Sequence, residues 1–483
     1  MTLTEPPYGR LNLPVTLTTF SCPFTSQAAL SDLVLPASLR NLTLAFPDLT
    51  AFDVVHFPRL RELQDLVSLE LTTAYSRNGP PSTPTTMLTA LDVGILPHLQ
   101  HLTLKNGRWM GDAADLRGVA LDASTAARLT SLTLKNVNWQ LADLFALDFA
   151  SLQRLEITYD MPVRLENVNA LLDSLPPSLT HLTLDGLLSK TVDLRHLDKL
   201  EAVRMNRCDL THADLPHGVK TLDLSQNALI GLRQGEKTWL PSTVEHLDVS
   251  SNSLTMLDGK DLPSDLATLD ASRNGMHNFG DLTSCHHLTM LDLSYNKIHT
   301  IHSAQLPSSL SMLKCGDLDL TLDETSSLVH LSFIGKDLGN IDLSKAKHLK
   351  DITVEYIYHA ANITLPVSLE RFLSSTNYFA DTIAQQVLDV APHLTNLQAL
   401  VLPRSLRPES IVNLPTSIRI FHDTEGVVVS PTCLRAAARR SIANAQVVKM
   451  DGQTYTTVEA VRPSEISRLD NVGTHGPYYY RVD

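Results

Sequence analysis

MLDLSYNKI, Met290–Ile298, places Leu291, Leu293 and Ile298 as apolar residues and sets Asn296 among them. Asparagine is depleted in strands and usually exposed. The stretch recurs as TLDLSQNAL from Thr221, HLDVSSNSL from His246 and TLDASRNGM from Thr268. An asparagine holds the same offset each time: Asn227, Asn252, Asn274 and Asn296. A turn preference explains one such stretch. Four copies in register require a repeat.

Sliding apolar-x-x-apolar-x-apolar along the chain finds starts at Leu39, Leu66, Leu99, Leu129, Leu152, Leu179, Leu200, Val219, Val244, Leu266, Leu288, Leu310, Leu328, Leu349 and Leu397. Leu369 and Ile418 begin degenerate copies, giving about 17 units. The spacing is a constant 22 residues from Val244 to Leu310. In each unit the apolar pair alternates with period two, which predicts a short strand. One such strand cannot bury its face alone, so units must stack their strands in parallel over a shared aliphatic core.

The unit resembles the leucine-rich repeat, LxxLxLxxNxL, most closely between Leu215 and Ile298. The resemblance implies an α/β solenoid, a horseshoe with a parallel sheet on its concave face and a mostly extended or short-helical convex side. It also gives the asparagines a task. After each strand the chain turns away and leaves backbone groups inside, where unpaired polar groups are costly. An amide carries donors and an acceptor, so Asn227, Asn252, Asn274 and Asn296 are expected to form a structural ladder. Cys208 takes that place in VRMNRCDL, while Leu187 and Val137 replace it upstream.

A second recurring element precedes the strand: LPPSL, LPHGV, LPSTV, LPSDL, LPSSL, LPVSL and LPTSI. Proline fixes φ and donates no hydrogen bond, which suits an extended returning segment on the convex side. This short subtype resembles the LPX repeats of bacterial effectors and the Pro-Ser-Leu repeats of some protists. Asn167–Leu175 and the stretch GDAADLRGVALDASTAARL have helical spacing instead. A solenoid needs caps. Residues 1–38 are expected to be an N-terminal cap or degenerate repeat, 39–426 the solenoid, and 427–483 a C-terminal cap of helix plus hairpin with a tail. The hairpin would turn at Asp451-Gly452.

Composition narrows function. The net charge of −13 supplies no extended basic surface for nucleic acid or anionic membrane. Five scattered cysteines, with no CxxC pair, argue against a zinc knuckle and for a reducing compartment. No start resembling a signal peptide and no apolar run of about 18 residues is present, which favours the cytoplasm.

The middle residue of each LxL points to the concave face. Those positions give an acidic column, Asp223, Asp248, Asp270 and Asp292, flanked by His246, Met290 and Met312. These seven are the candidate partner-binding residues. The plainer reading is that each Asp bonds a neighbouring hydroxyl, such as Ser225 or Thr221. Upstream, Thr103, Thr133 and Thr183, with Lys105 and Lys135, predict a neutral to basic face. Metal, cofactor and catalytic motifs are absent, including GxSxG, HExxH and the P-loop. Cys315-Gly316-Asp317 has the C-x-D form found in effector ubiquitin ligases with this repeat subtype, but Cys315 falls at a core position. The expectation is a monomeric, non-enzymatic scaffold for another protein, one with a basic surface. The alternative is the substrate-recognition part of an enzyme system, either a ubiquitin-ligase receptor or a shortened repeat kinase.

Overall fold

The computed structural model describes residues 13–23, 34–46, 62–73, 95–105, 119–138, 147–164, 168–235, 237–316, 318–334, 337–355, 359–374 and 381–402. It also describes short pieces at 2, 91–92, 114–115, 420–423, 447–450 and 453–456. Packing divides the chain into two compact units, Met1–Asn252 and Ser253–Asp483.

In the first unit, parallel strands follow one another in chain order: β1 (Thr19–Pro23), β2 (Asn41–Phe46), β3 (Ser68–Thr73), β4 (His101–Lys105), β5 (Ser131–Lys135), β6 (Arg154–Val163), β7 (His181–Leu187), β8 (Ala202–Arg204), β9 (Thr221–Asp223) and β10 (His246–Asp248). Each pairs with the next. The second unit continues the numbering: β11 (Thr268–Asp270), β12 (Met290–Asp292), β13 (Met312–Cys315), β14 (His330–Ile334), β15 (Asp351–Glu355), β16 (Arg371–Ser374), β17 (Ala399–Leu402) and β18 (Ile420–Asp423). These pair in the same way. From β2 onward every strand opens two residues after a start of the repeat pattern, as Asn41 follows Leu39 and Ile420 follows Ile418. Leucines of the LxL segments are buried, Leu222 and Leu224 or Leu291 and Leu293 for example, while middle residues such as Asp223, Asp248 and Asp270 are half-buried.

Among its described residues the first unit carries two short helices, Ala123–Arg128 and Val168–Asp173, where helical spacing placed them. Asp122 caps the former by accepting from the Thr125 amide at 2.8 Å. The second unit has a smaller parallel sheet of Thr300–His302, Asp319–Thr321, Asp337–Asp342 and His359–Thr364. A ten-residue helix, Asp381–Val390, follows it. Its Gln386 accepts from the Ile363 amide at 3.1 Å, covering one group of that sheet's last strand. No described helix is long and apolar enough to cross a membrane.

The asparagines bridge turns. Asn227 Nδ2 donates to Met205 O, Leu224 O and Ser225 O, and its Oδ1 accepts from the Cys208 and Leu210 amides. Asn252 links Leu229 to Leu224, Val249 and Ser250. Asn296 links Met276 to Ala271, Leu293 and Ser294. Cys208, in the same place, is fully buried and its thiol donates to Leu184 O. The residue before each rung, Gln226, Ser251, Arg273 or Tyr295, adopts φ of 53–56°. The left-handed turn therefore recurs without glycine.

The Leu-Pro element precedes the strand, but as a turn and not as an extended segment. Its proline opens a tight turn directly into the strand: Leu179 N donates to Pro176 O, Leu310 N to Pro307 O and Leu369 N to Pro366 O. The hydroxyl two residues after that proline makes a second ladder. Ser178 Oγ donates to Phe149 O and Leu152 O, Ser309 Oγ to Cys285 O and Leu288 O, and Ser368 Oγ to Ala346 O and Leu349 O. Thr243 does the same with His217 O and Val219 O. Each hydroxyl serves carbonyls of the preceding turn, which have no strand partner.

The C-terminal helix expected within 427–483 lies outside the described residues. Val447–Met450 and Gln453–Thr456 pair antiparallel around Asp451-Gly452. In the N-terminal segment, β1 already pairs in the repeat's manner with β2.

Candidate functional site

In the first unit, Asp223 and Asp248 are register neighbours on β9 and β10. Each turns one oxygen back on its own chain. Asp223 Oδ1 accepts from Ser225 N at 3.0 Å and Ser225 Oγ at 2.6 Å, and Asp248 Oδ1 accepts from Ser250 N at 2.8 Å. These are Asx turns, which the LDLS spacing favours. Arg204, the register neighbour of Asp223 on β8, lies 3.6 Å from its Oδ2 and 2.8 Å from Asp185 Oδ2. His246 opens β10 in an exposed position beside Thr221.

The second unit places Asp270 and Asp292 as register neighbours on β11 and β12, with Met290 beside Met312 and Asp292 beside Lys314. Asp270 Oδ1 accepts from Ser272 N at 2.9 Å. Asp292 Oδ1 accepts from Ser294 N at 2.9 Å and Ser294 Oγ at 2.6 Å, and Lys314 Nζ stands 3.6 Å from its Oδ2. Asp292 is only 6% exposed, whereas Met290, Met312 and Asp270 are half-buried. Burial, then the charge of Asp270, pushes the Asp292 carboxyl above its ordinary range against the pull of Ser294 and Lys314. Glu355, at the end of β15, is pushed up by burial and by Asp292, with Lys314 opposing. Asp292 and Glu355 thus share one ammonium, and the charge of Asp270 bears on Asp292 from the neighbouring strand.

Two further features belong to the face. His330 Nδ1 lies 2.6 Å from Asp351 Oδ2, and Arg371 clasps both oxygens of the same carboxylate. The Arg371–Asp351 pair is satisfied from within the face. In the first unit Lys105 pairs with Glu70 at 2.9 Å and Lys135 with Asp160 at 3.2 Å. Glu70 and Glu156 occupy middle positions opposite Thr103 and Thr133. The upstream face is therefore mixed in charge, not neutral to basic. The cause is plain: only threonines and lysines entered that expectation.

Among the described residues, no group of three or more His, Cys, Asp or Glu side chains is arranged to hold a metal ion. The thiols of Cys22, Cys208, Cys285 and Cys315 are buried and form no disulfide. Burial holds the Cys315 thiol far above its ordinary range.

Lys314 and Arg204 lay outside the candidate set, although the rule that found the aspartates would have reached them. Each is the middle residue of the unit directly beyond one end of the column, in MLKC and AVRM. Glu355 has no such signal, because its nearness to Asp292 depends on how the strands stack.

Strand, turn and ladder together define a leucine-rich-repeat solenoid. No protein-family profile matches the chain, and no curated protein does. Among solved structures it is similar to YopM from Yersinia enterocolitica WA-314, with 18% identity, 86% of this chain and 81% of that chain covered, and a TM-score of 0.47. It is also similar to a chain of the LRIM1/APL1C complex (18% identity, 76% and 65% covered, TM-score 0.44) and to an internalin of Listeria monocytogenes (14%, 64% and 90%, TM-score 0.41).

Proposed function

We propose that this protein is a non-enzymatic interaction scaffold that holds a basic protein partner on the open face of its sheet. The observation that carries the reading is the charge excess of the second unit, where among the described residues Asp292 and Glu355 share the ammonium of Lys314, with Asp270 adding its charge beside Asp292 and half-buried Met290 and Met312 alongside. Elsewhere Asp185 is paired with Arg204, Asp351 with Arg371, and Glu70 and Asp160 with the upstream lysines. A cationic side chain from outside would complete this group, while the methionines give its stem an adaptable apolar contact. In the first unit Asp223, His246 and Asp248 extend the acidic and switchable character, with Arg204 tempering it. Stacked repeats favour such extended recognition. The buried, unbridged thiols suit a reducing compartment, the cytoplasm. The reading takes the protein as a monomer and assigns it neither nucleic acid nor membrane.

The test is capture by cross-linking from native extract, using the full chain and the Asp270→Asn/Glu355→Gln variant, with the partner's affinity then measured at two salt concentrations. The proposal expects a partner with clustered Lys or Arg, bound roughly tenfold more weakly by the variant, with a gap that narrows at high salt. A partner bound equally by both proteins would move the site off this face.

A further inference from the structure

Of the four rung asparagines only Asn274 is followed by glycine; the others precede Ala228, Ser253 and Lys297. Glycine has no Cβ to shield its nitrogen or restrict its backbone. In a free chain an Asn-Gly nitrogen readily reaches the asparagine Cγ. Here both reacting groups are tied elsewhere. Gly275 N donates to Leu254 O at 3.1 Å. Asn274 Oδ1 accepts from Leu254 N at 2.9 Å, and its Nδ2 donates to Ala271 O at 3.0 Å and Ser272 O at 3.1 Å. The side chain is buried, which also keeps out hydrolytic water.

We propose that Asn274 is a deamidation site that the native ladder keeps closed, and that reaction during a local opening leaves this turn unable to close again. In the opened turn the Gly275 nitrogen gives its proton to a solvent base and bonds to Asn274 Cγ. The Cγ–Nδ2 bond breaks, the leaving nitrogen takes a proton back from solvent and departs as ammonia, and a succinimide is formed. One water then opens the ring to aspartate or isoaspartate. Neither product can refill the rung. An ionised carboxylate only accepts, so it would face the carbonyls of Ala271 and Ser272 with no donor. Isoaspartate also lengthens the backbone by a methylene and breaks the register that Leu254 and Met276 need. The next rung is coupled to this one, because Asn296 Nδ2 donates to the same Ala271 carbonyl at 3.0 Å and its Oδ1 accepts from Met276 N.

The experiment incubates the full chain at mildly alkaline pH and follows conversion at residue 274 by peptide mass mapping, natively and in urea. Gly275→Ala is the control: its added methyl would meet only Leu254 O, at 3.7 Å. Conversion should run at least about tenfold slower in the native protein than in urea, because only the locally opened fraction reacts. Gly275→Ala should keep the wild-type Tm and convert more slowly in both states. Asn296→Ala should speed native conversion several-fold; should that variant not fold, sub-denaturing urea on the wild type serves instead. Converted protein should lose hydrogen-exchange protection at Leu254 and Met276. Equal native and unfolded rates, or converted protein with native protection at those amides, would overturn the proposal.

Discussion

A rung asparagine stabilises by what it satisfies, not by what it packs. Asn252 meets one amide and three carbonyls, Leu229 on one side and Leu224, Val249 and Ser250 on the other. Leucine there adds apolar area but strands those groups. We expect Asn252→Leu to cost roughly 1–3 kcal/mol, read from the urea midpoint; an unchanged or higher midpoint would contradict the ladder's energetic role. Ser309 makes a smaller case of the same logic. Its hydroxyl serves two carbonyls, and Ser309→Ala should cost about 1 kcal/mol, since an isolated hydrogen bond contributes little net. The asparagines were legible because they recur at a fixed offset. The serines recur too, within LPxSL, but their acceptors lie 19 to 29 residues upstream where both are known. No local rule names those acceptors, so the motif was read through its proline alone.

One element departs from the regular strand and explains a glycine. Between Thr158 and Val163 strand β6 slips register against β7 and projects Met161, 66% exposed, beyond the ladder. Arg207 holds the bulge by donating to Tyr159 O and Asp160 O, and Asn136 holds it through both its amide groups. Burial opposes the charge of Asp160, but Asn136 and then Lys135 outweigh it and keep that carboxyl below its ordinary range. Gly186 lies underneath with φ of 72°, and a Cβ there would stand 2.5 Å from Tyr159 O. Gly186→Ala should therefore cost about 2–3 kcal/mol through strain and overpacking, with exchange protection lost first at residues 157–163. A wild-type melting curve would show that the bulge yields freely. Nothing in the repeat pattern marks DMPV as a bulge. Period-two patterning finds strands because each leucine reports its own burial, whereas a bulge depends on what the neighbouring turn leaves room for.

Across the molecule, charge on the sheet face links stability to pH and to binding. Asp292 and Glu355 both bind protons more tightly in the folded state than when unfolded. The folded chain therefore holds more protons between the unfolded and folded pKa values, and this contribution to stability falls as pH rises through that window. Glu355→Gln removes the effect at one site. The variant should be more stable than wild type near pH 7, and the gap should close toward about pH 4, where the wild-type carboxyl is neutral. Urea midpoints of both proteins across that range give the answer, since carboxylates with depressed pKa values, such as Asp122 and Asp342, cancel in the comparison. A gap constant with pH would mean that Glu355 ionises freely. The most direct test of the functional reading is the footprint of the captured partner by hydrogen exchange on the full chain. Protection should appear at Met290–Asp292, Met312–Cys315 and Asp351–Glu355, the strands carrying the shared charge, and leave Thr300–His302 and Asp319–Thr321 unchanged. Protection confined to those last two strands would place the partner on the other sheet and contradict the account.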